Sequence, residues 1–553
     1  MPDAATRETV KISQQTDGHA MGRVGRVPSG MPGMPHIPVM PVILIFAAFA
    51  LRIAFLNGES LWRDEVDVIR MASAPIADLL GNLSRNGLNG PLYLLLMRAW
   101  LWLAGANDFS LRFFSLIFGV IETALIYTLS KRLINRQTAI VALWLAVISP
   151  VLIWYSGEGK MYSLQPMLLV LAIYALRKAI DGKGARWWVV FVAAVSLAYY
   201  VHLLSPLFMS VAVIFCFVWY SRARIHWRGA LIAFGACTLP YIPLAIWQLP
   251  TLIAGSATGH DFYTLDVMMV KLLYNWSVGV SDTFLPNIPA SFPLLGILTS
   301  AGIALIGFFG AIIRRRAVQA PAQAQPTPEL SERQTAIGLL GWALVPAVLT
   351  QLISTRAPVF EPRYLLWCAP ALIILVARGI AGLRRALPMV TVVLFTMVSG
   401  ISLIGFASQV VYPIRPDVRA MSQYVASAME PGDLFVFQIP YTRYAFEYYL
   451  PFFKPLAPLE GGPLAPDGLR TIDGLRDRLI EAPFTNGGAT PDDVTAALKP
   501  LTERAPHIWL IESESTMWDG RGMVRAWFDT HMTVASRREL HGVVATQYQL
   551  PSQ

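Results

Sequence analysis

Four short stretches of an otherwise apolar chain carry side chains able to do chemistry: Trp62-Arg63-Asp64-Glu65, Tyr155 to Tyr162, the segment ending at His202, and Glu361-Pro362-Arg363-Tyr364. Asp64 and Glu65 follow an apolar run by a few residues. A carboxylate close to a membrane face loses solvation, which raises its proton affinity and makes it a usable general base near neutral pH. Acids also favour helix N-termini, so a wetted helix start explains the same pair. Glu158 and Lys160 stand two residues apart between two apolar runs, flanked by Tyr155 and Tyr162. Ionisable groups at the end of a span are costly and often mark a site. A self-neutralising surface pair is the plainer account, and tyrosines are common at membrane interfaces. His202 reads either as a hydrogen-bonded interfacial residue or as a ligand. Arg363 either snorkels to the interface or clamps a phosphate, whose oxygens suit the planar guanidinium.

What must position these groups is a set of membrane helices. Hydrophobic residues make up 55% of the 553 and charged residues only 14%, against roughly 25% charged in soluble domains. Apolar runs at 41–57, 112–130, 137–155, 161–177, 187–202, 203–220, 229–247, 291–313, 336–353, 363–381 and 387–408 predict eleven spans. Segment 91–104 is apolar but short and carries Arg98, so it reads as interfacial or re-entrant. Residues 1–39 read as a disordered cytoplasmic tail, 40–408 as the membrane domain, and 409–553 as a soluble α/β domain. In that last part, 416–430 has helical spacing, and Leu434–Ile439, His507–Glu512 and Val543–Leu550 are strand-like. The fold class expected is therefore an all-α polytopic membrane protein with a small extracytoplasmic α/β domain.

Basic residues gather in alternate loops: Lys131, Arg132 and Arg136; Arg177, Lys178, Lys183 and Arg186; Arg314, Arg315 and Arg316. By the positive-inside rule this places the N-terminus in the cytoplasm and the C-terminal domain outside. It also accounts for the net charge of +9 without nucleic acid. Asp64, Glu65, Glu158, Lys160, His202 and Arg363 then fall on one face of the membrane, the outer one. Cys216, Cys237 and Cys368 lie inside apolar runs and read as core packing. Loop 314–335 is a Pro/Ala/Gln-rich linker. The loop Gln248–Pro289, with His260, Asp261 and a helix expected over Thr264–Ser277, has the length of a lid.

At these residues the chain resembles the GT-C membrane glycosyltransferases, closest to the group of protein O-mannosyltransferases and lipid A aminoarabinose transferases (glycosyltransferase family 39-like). The resemblance rests on SLWRDEVDVIRMA (60–72), the Pro-Leu-Tyr segment 89–133, SPVLIWYSGEGKMYSL (149–164), YYVHLLSP (199–206) and FEPRYLLWCAPALIILVARG (360–379). It implies transfer of a sugar from a polyprenyl-phosphate donor to a lipid, protein or polysaccharide acceptor on the periplasmic side of the inner membrane. It also implies catalytic roles for Asp64, Glu65 and Glu158. Substrate contacts would come from Lys160, Arg363, His202, Tyr155, Tyr162 and Arg63. No cofactor follows from the residues; a divalent metal ion held by Glu65 or Glu158 is the one addition the chemistry admits. Two departures stand out: Ser156-Gly157-Glu158-Gly159-Lys160 where relatives show Ser-Gln-Glu-Ala-Arg, and Asn89-Gly90-Pro91 where they show a Pro-Pro pair. The rival readings are a non-catalytic transporter or lipid-handling protein, which would want charges near the midplane and repeated helices, and a membrane scaffold that presents its C-terminal domain.

Overall fold

A computed structural model describes residues 39–83, 90–254, 260–313, 331–453 and 476–551. The expected tail, apart from its last residue, and most of the 314–335 linker lie outside them. Helices α1 (Val39–Ala54), α2 (Arg63–Ser73), α3 (Ile76–Leu83) and α4 (Pro91–Ala104) precede the long α5 (Asp108–Leu133). α6 (Arg136–Ile148) and α7 (Pro150–Ser156) follow, bent by 57° where Pro150 cannot continue the helix. Next come α8 (Leu164–Ile180), α9 (Arg186–Val201), α10 (Phe208–Val218), α11 (Tyr220–Ala223) and α12 (Trp227–Ala254). The apolar block ends with α13 (Leu265–Ser277), α14 (Phe292–Ile313), α15 (Glu332–Ser354), α16 (Ala369–Leu383) and α17 (Pro388–Val411).

The chain is a multi-pass membrane protein. Among the described residues six helices are long and apolar enough to cross a bilayer, or seven if the bent α6–α7 pair is one span. Each expected run is helical. However, α1, α8, α9 and α10 hold 16, 17, 16 and 11 residues, short of the roughly 20 that a straight crossing needs. Length alone thus establishes six or seven of the eleven expected spans. The block is held by close backbone contact as well as by side chains. A Cβ on Gly379 of α16 would lie 2.3 Å from the Ile303 carbonyl oxygen of α14, and one on Gly307 would lie 2.2 Å from that of Leu375. Small residues at such a crossing let two helices approach without intervening side chains.

The last quarter adds α18 (Val418–Ala428), β1 (Leu434–Phe437), α19 (Pro440–Phe453), β2 (Leu479–Glu481), α20 (Pro491–Thr502), β3 (His507–Ser513), α21 (Met523–His531), β4 (Thr533–Leu540) and β5 (Val543–Gln549). The strands form one sheet in the order β2-β1-β3-β5-β4, with β1 parallel to both neighbours and β5 antiparallel to β3 and β4. Alternation along the strands turns Phe435, Phe437, Trp509 and Ile511 toward α18 and α19. It turns Leu434, Val436, Ile508 and Leu510 toward α20 and α21. The three anticipated strands are present; β2 and β4 were not anticipated.

This layer is tied to the membrane block by polar contacts. Asp108, opening α5, accepts hydrogen bonds from Tyr448 Oη at 2.8 Å, Tyr449 Oη at 2.7 Å and Arg419 Nη2 at 2.5 Å. The Ile414 N–H donates to Glu59 at 2.7 Å, and Ser60 Oγ donates to Asp417 at 2.8 Å.

Candidate active site

The two adjacent acids of α2 have opposite surroundings. Glu65 is fully buried and saturated. Its carboxylate accepts Arg112 Nε at 2.9 Å and Nη2 at 2.8 Å, and the Gly159 N–H at 2.9 Å. Arg415 stands 3.3 Å away. Burial works against its charge, but the guanidiniums of Arg112 and Arg415 and these hydrogen bonds prevail and bring its pKa down to about 2. Arg112 spends its other donors on the carbonyls of Leu56, Glu59 and Ser60, at 2.8–3.0 Å. Glu65 therefore knots the loop between α1 and α2 to the start of α5 and to the turn at Gly159. That turn lies directly on α5: a Cβ on Gly159 would fall 2.5 Å from Leu111 Cγ, which accounts for glycine there. Gly90, the other departure, caps α4 with φ +76°, a conformation closed to proline.

Asp64, one residue earlier, is 26% exposed, 3.8 Å from Arg63 Nε, and accepts no hydrogen bond among the described residues. Glu158 lies within its electrostatic reach. It is 1% exposed, and its Oε1 has no partner among the described residues. Burial pushes its pKa up to about 7, against the pull of Arg415 and Arg363 and with help from Glu65 and Asp64.

Around these acids stands a wall of rings. The Arg363 guanidinium lies 5.4 Å from the Trp62 ring and 5.7 Å from those of Tyr162 and Tyr364, within cation–π range. Its Nε has no partner among the described residues. Tyr162 is 5.5 Å from Tyr155 and 6.3 Å from Tyr364, centroid to centroid, and His202 is 4.8 Å from Tyr364. His202 Nδ1 accepts the Leu204 N–H at 3.1 Å, which fixes its ring, and its buried Nε2 is unpartnered among the described residues. His260 faces Tyr364 Oη at 3.3 Å and Glu361 at 3.7 Å; residues 255–259 of that loop lie outside those described.

Asp64, Glu158, Arg363, Tyr155, Tyr162 and His202 thus converge from separate segments. Lys160 is half-buried and acts electrostatically on Asp67 of α2. Arg63 stands between Asp64, at 3.8 Å, and Glu514, at 3.5 Å, and lies over the Tyr441 ring at 5.4 Å. Trp62, Tyr364 and Arg415 join the site without having been singled out as site residues. Trp62 and Tyr364 adjoin residues already marked; nothing about Arg415 in sequence signalled it. A cavity of about 290 Å³ beside Arg112 and Arg415, lined also by Glu59, Trp154 and Gln409, contains neither Asp64 nor Glu158. Among the described residues no three His, Cys, Asp or Glu side chains gather as metal ligands would.

Residues 89–247 match the family model described as dolichyl-phosphate-mannose-protein mannosyltransferase. No curated protein sequence matches the chain. Among solved structures, ArnT from Cupriavidus metallidurans, bound to undecaprenyl phosphate, superposes with a TM-score of 0.52 at 13% identity, covering 92% of this chain and 97% of that one. The Archaeoglobus fulgidus oligosaccharyltransferase gives 0.53 at 12% identity, over 88% and 71% of the two chains. The oligosaccharyltransferase AglB from Archaeoglobus fulgidus, solved with an inhibitory peptide and a dolichol-phosphate, gives 0.50 at 11% identity, over 92% of this chain and 74% of that one.

Proposed function

We propose, from the premise that the chain has the GT-C glycosyltransferase fold, that it transfers a sugar from a polyprenyl-phosphate donor to an acceptor hydroxyl. In this reading it works at the periplasmic face of the inner membrane, with the N-terminus in the cytoplasm and the last 145 residues outside. The observation that carries the reading is the meeting of a part-exposed carboxylate that accepts no hydrogen bond among the described residues, a buried acid with a pKa near neutrality, and a ring-clamped guanidinium, on a fold whose solved examples include a complex with a lipid phosphate.

The acceptor oxygen attacks the anomeric carbon and the bond from that carbon to the phosphate oxygen breaks. The electron pair leaves on the polyprenyl phosphate, and the acceptor proton passes to Asp64. The transition state is oxocarbenium-like, as in glycoside hydrolysis, and a single displacement inverts the centre. Arg363, with Lys160 as its companion, stabilises charge that grows on the leaving phosphate, which favours the transition state over the ground state. Glu158, near half protonation at neutral pH, offers an O–H to the bound sugar or acceptor. His202, Tyr155 and Tyr162 shape the pocket. Glu65, whose oxygens are already taken, is assigned a positioning role in place of a catalytic one: it holds Asp64 and the Glu158 turn in register.

The test is purified protein in lipid with a panel of radiolabelled polyprenyl-phosphate sugars and crude envelope acceptors. Label transfer from one donor is expected. A chain that binds these lipids but moves no sugar to any acceptor would favour the lipid-handling alternative.

A further inference from the structure

The carboxyl ends of β1 and β3 carry polar groups that the reaction above leaves unused. The parallel order β2-β1-β3 means that the chain leaves β1 toward one edge and returns past it to β3. α19, which follows β1, packs on one face of the sheet; α21, which follows β3, packs on the other. The chain therefore departs from two adjacent strands to opposite faces. In open sheets of this build a crevice lies outside the carboxyl ends of such a pair, and ligands bind in it.

The residues at this point are informative. Gln438, directly after β1, is 1% exposed, and its backbone N–H donates to Ile511 at 2.9 Å. Its side-chain Oε1 is buried without a donor among the described residues. An amide oxygen left so costs roughly 1–3 kcal/mol unless a ligand or water supplies the proton. Thr442 Oγ1 and Ser513 Oγ meet at 3.2 Å across the two strand ends. Tyr441 beside them is 42% exposed. Glu514, directly after β3, has φ +47°. A non-glycine residue held there costs on the order of 1 kcal/mol or more, and glycine would take the position without that strain. A carboxylate kept where glycine fits better calls for another use. The crevice opens toward the reacting loop, since Arg63 touches both Glu514 and Tyr441 and immediately precedes Asp64.

We propose that the crevice bounded by Gln438, Tyr441, Thr442, Ser513 and Glu514 holds the acceptor, and that the acceptor is an uncharged, hydroxyl-rich glycan. The proposal rests on the glycosyl-transfer reading and names its second substrate. An amide, two hydroxyls and a carboxylate match the donors and acceptors of sugar hydroxyls, and an exposed ring offers an apolar face to a pyranose. Arg63, the cation at the mouth, is already shared between Asp64 and Glu514, so it does not favour a phosphorylated acceptor.

The test uses the full chain in lipid nanodiscs and a panel of fluorescent neutral oligosaccharides, read by anisotropy. At least one should bind. Tyr441→Ala and Glu514→Gly should each weaken it by roughly tenfold while leaving polyprenyl-phosphate affinity in place and without lowering the denaturation midpoint. Glu514→Gly relieves strained backbone, so a loss of binding there cannot be put down to misfolding. Asp64→Asn should bind the glycan and not glycosylate it. The proposal is overturned if no neutral glycan binds, if the crevice variants bind as wild type, or if a phosphorylated counterpart binds tighter. Glycan binding that is lost in both variants, with no transfer from any donor, keeps the crevice and sinks the transfer reading. Transfer unaffected by the crevice variants does the reverse.

Discussion

Replacing either of two neighbouring buried acids with its amide should move stability in opposite directions. Glu65 and Glu158 are 0% and 1% exposed, yet one pKa falls to about 2 and the other rises to about 7. A tenfold change in proton affinity is worth ~1.4 kcal/mol, so each departure from an ordinary 4.5 corresponds to about 3 kcal/mol. For Glu65 the folded pKa lies below the unfolded one. Its stabilisation is present above pH 4.5 and is lost as pH falls through about 2. For Glu158 the folded pKa lies above, so folding binds a proton. Its destabilisation is absent well below pH 4.5, grows between 4.5 and 7, and is complete above 7. Glu65→Gln should therefore lower the denaturation midpoint in mixed micelles at pH 8. The expected loss is about 3 kcal/mol or more, since Arg112 is left buried without its partner. Glu158→Gln should raise stability by about 3 kcal/mol at pH 8 and by less than ~1 kcal/mol at pH 5, while impairing transfer. Two losses of similar size, or a Glu158→Gln effect indifferent to pH, would refute the assigned electrostatics.

Gly379→Leu forces a side chain against the Ile303 carbonyl and should destabilise the α14–α16 crossing by about 3 kcal/mol, seen as loss of the monodisperse peak in size-exclusion chromatography. Asp108→Asn weakens the acceptor for Tyr448, Tyr449 and Arg419 by about 1–3 kcal/mol. Limited proteolysis should then release the C-terminal part sooner. Lys160→Met should raise the KM for donor, with partial rescue by Lys160→Arg; an unchanged KM would remove Lys160 from the phosphate site.

The membrane character and the gathering of site residues were legible because both depend on short-range signals. Apolar runs mark helices wherever the solvent is lipid, and Arg363, Glu158 and Asp64 each end a run near the same face. Span lengths were less legible: Pro150 breaks one run into a bent pair, and α10 stops after 11 residues, neither of which shifts the hydropathy of the run. The pairing of Glu65 with Arg112 spans 47 positions and has no local signature, so the saturation of the Glu65 carboxylate is not legible in the sequence. Arg415 lies in the link between α17 and α18, and its approach to Glu65 and to Trp154 at 4.6 Å is a product of tertiary docking alone. Strands β2 and β4 escaped for ordinary reasons: one has three residues, and the other is an exposed edge with charges on consecutive positions.

The central claim, that this chain moves a sugar and that Asp64 takes the acceptor proton, is tested most directly by comparing wild type with Asp64→Asn. Both would be assayed for donor binding and for label transfer in the same lipid preparation. The account predicts equal donor affinity and equal denaturation midpoints, with transfer reduced by at least ~100-fold in the variant, the lower end of what general-base catalysis contributes. Transfer by Asp64→Asn at the wild-type rate would contradict it.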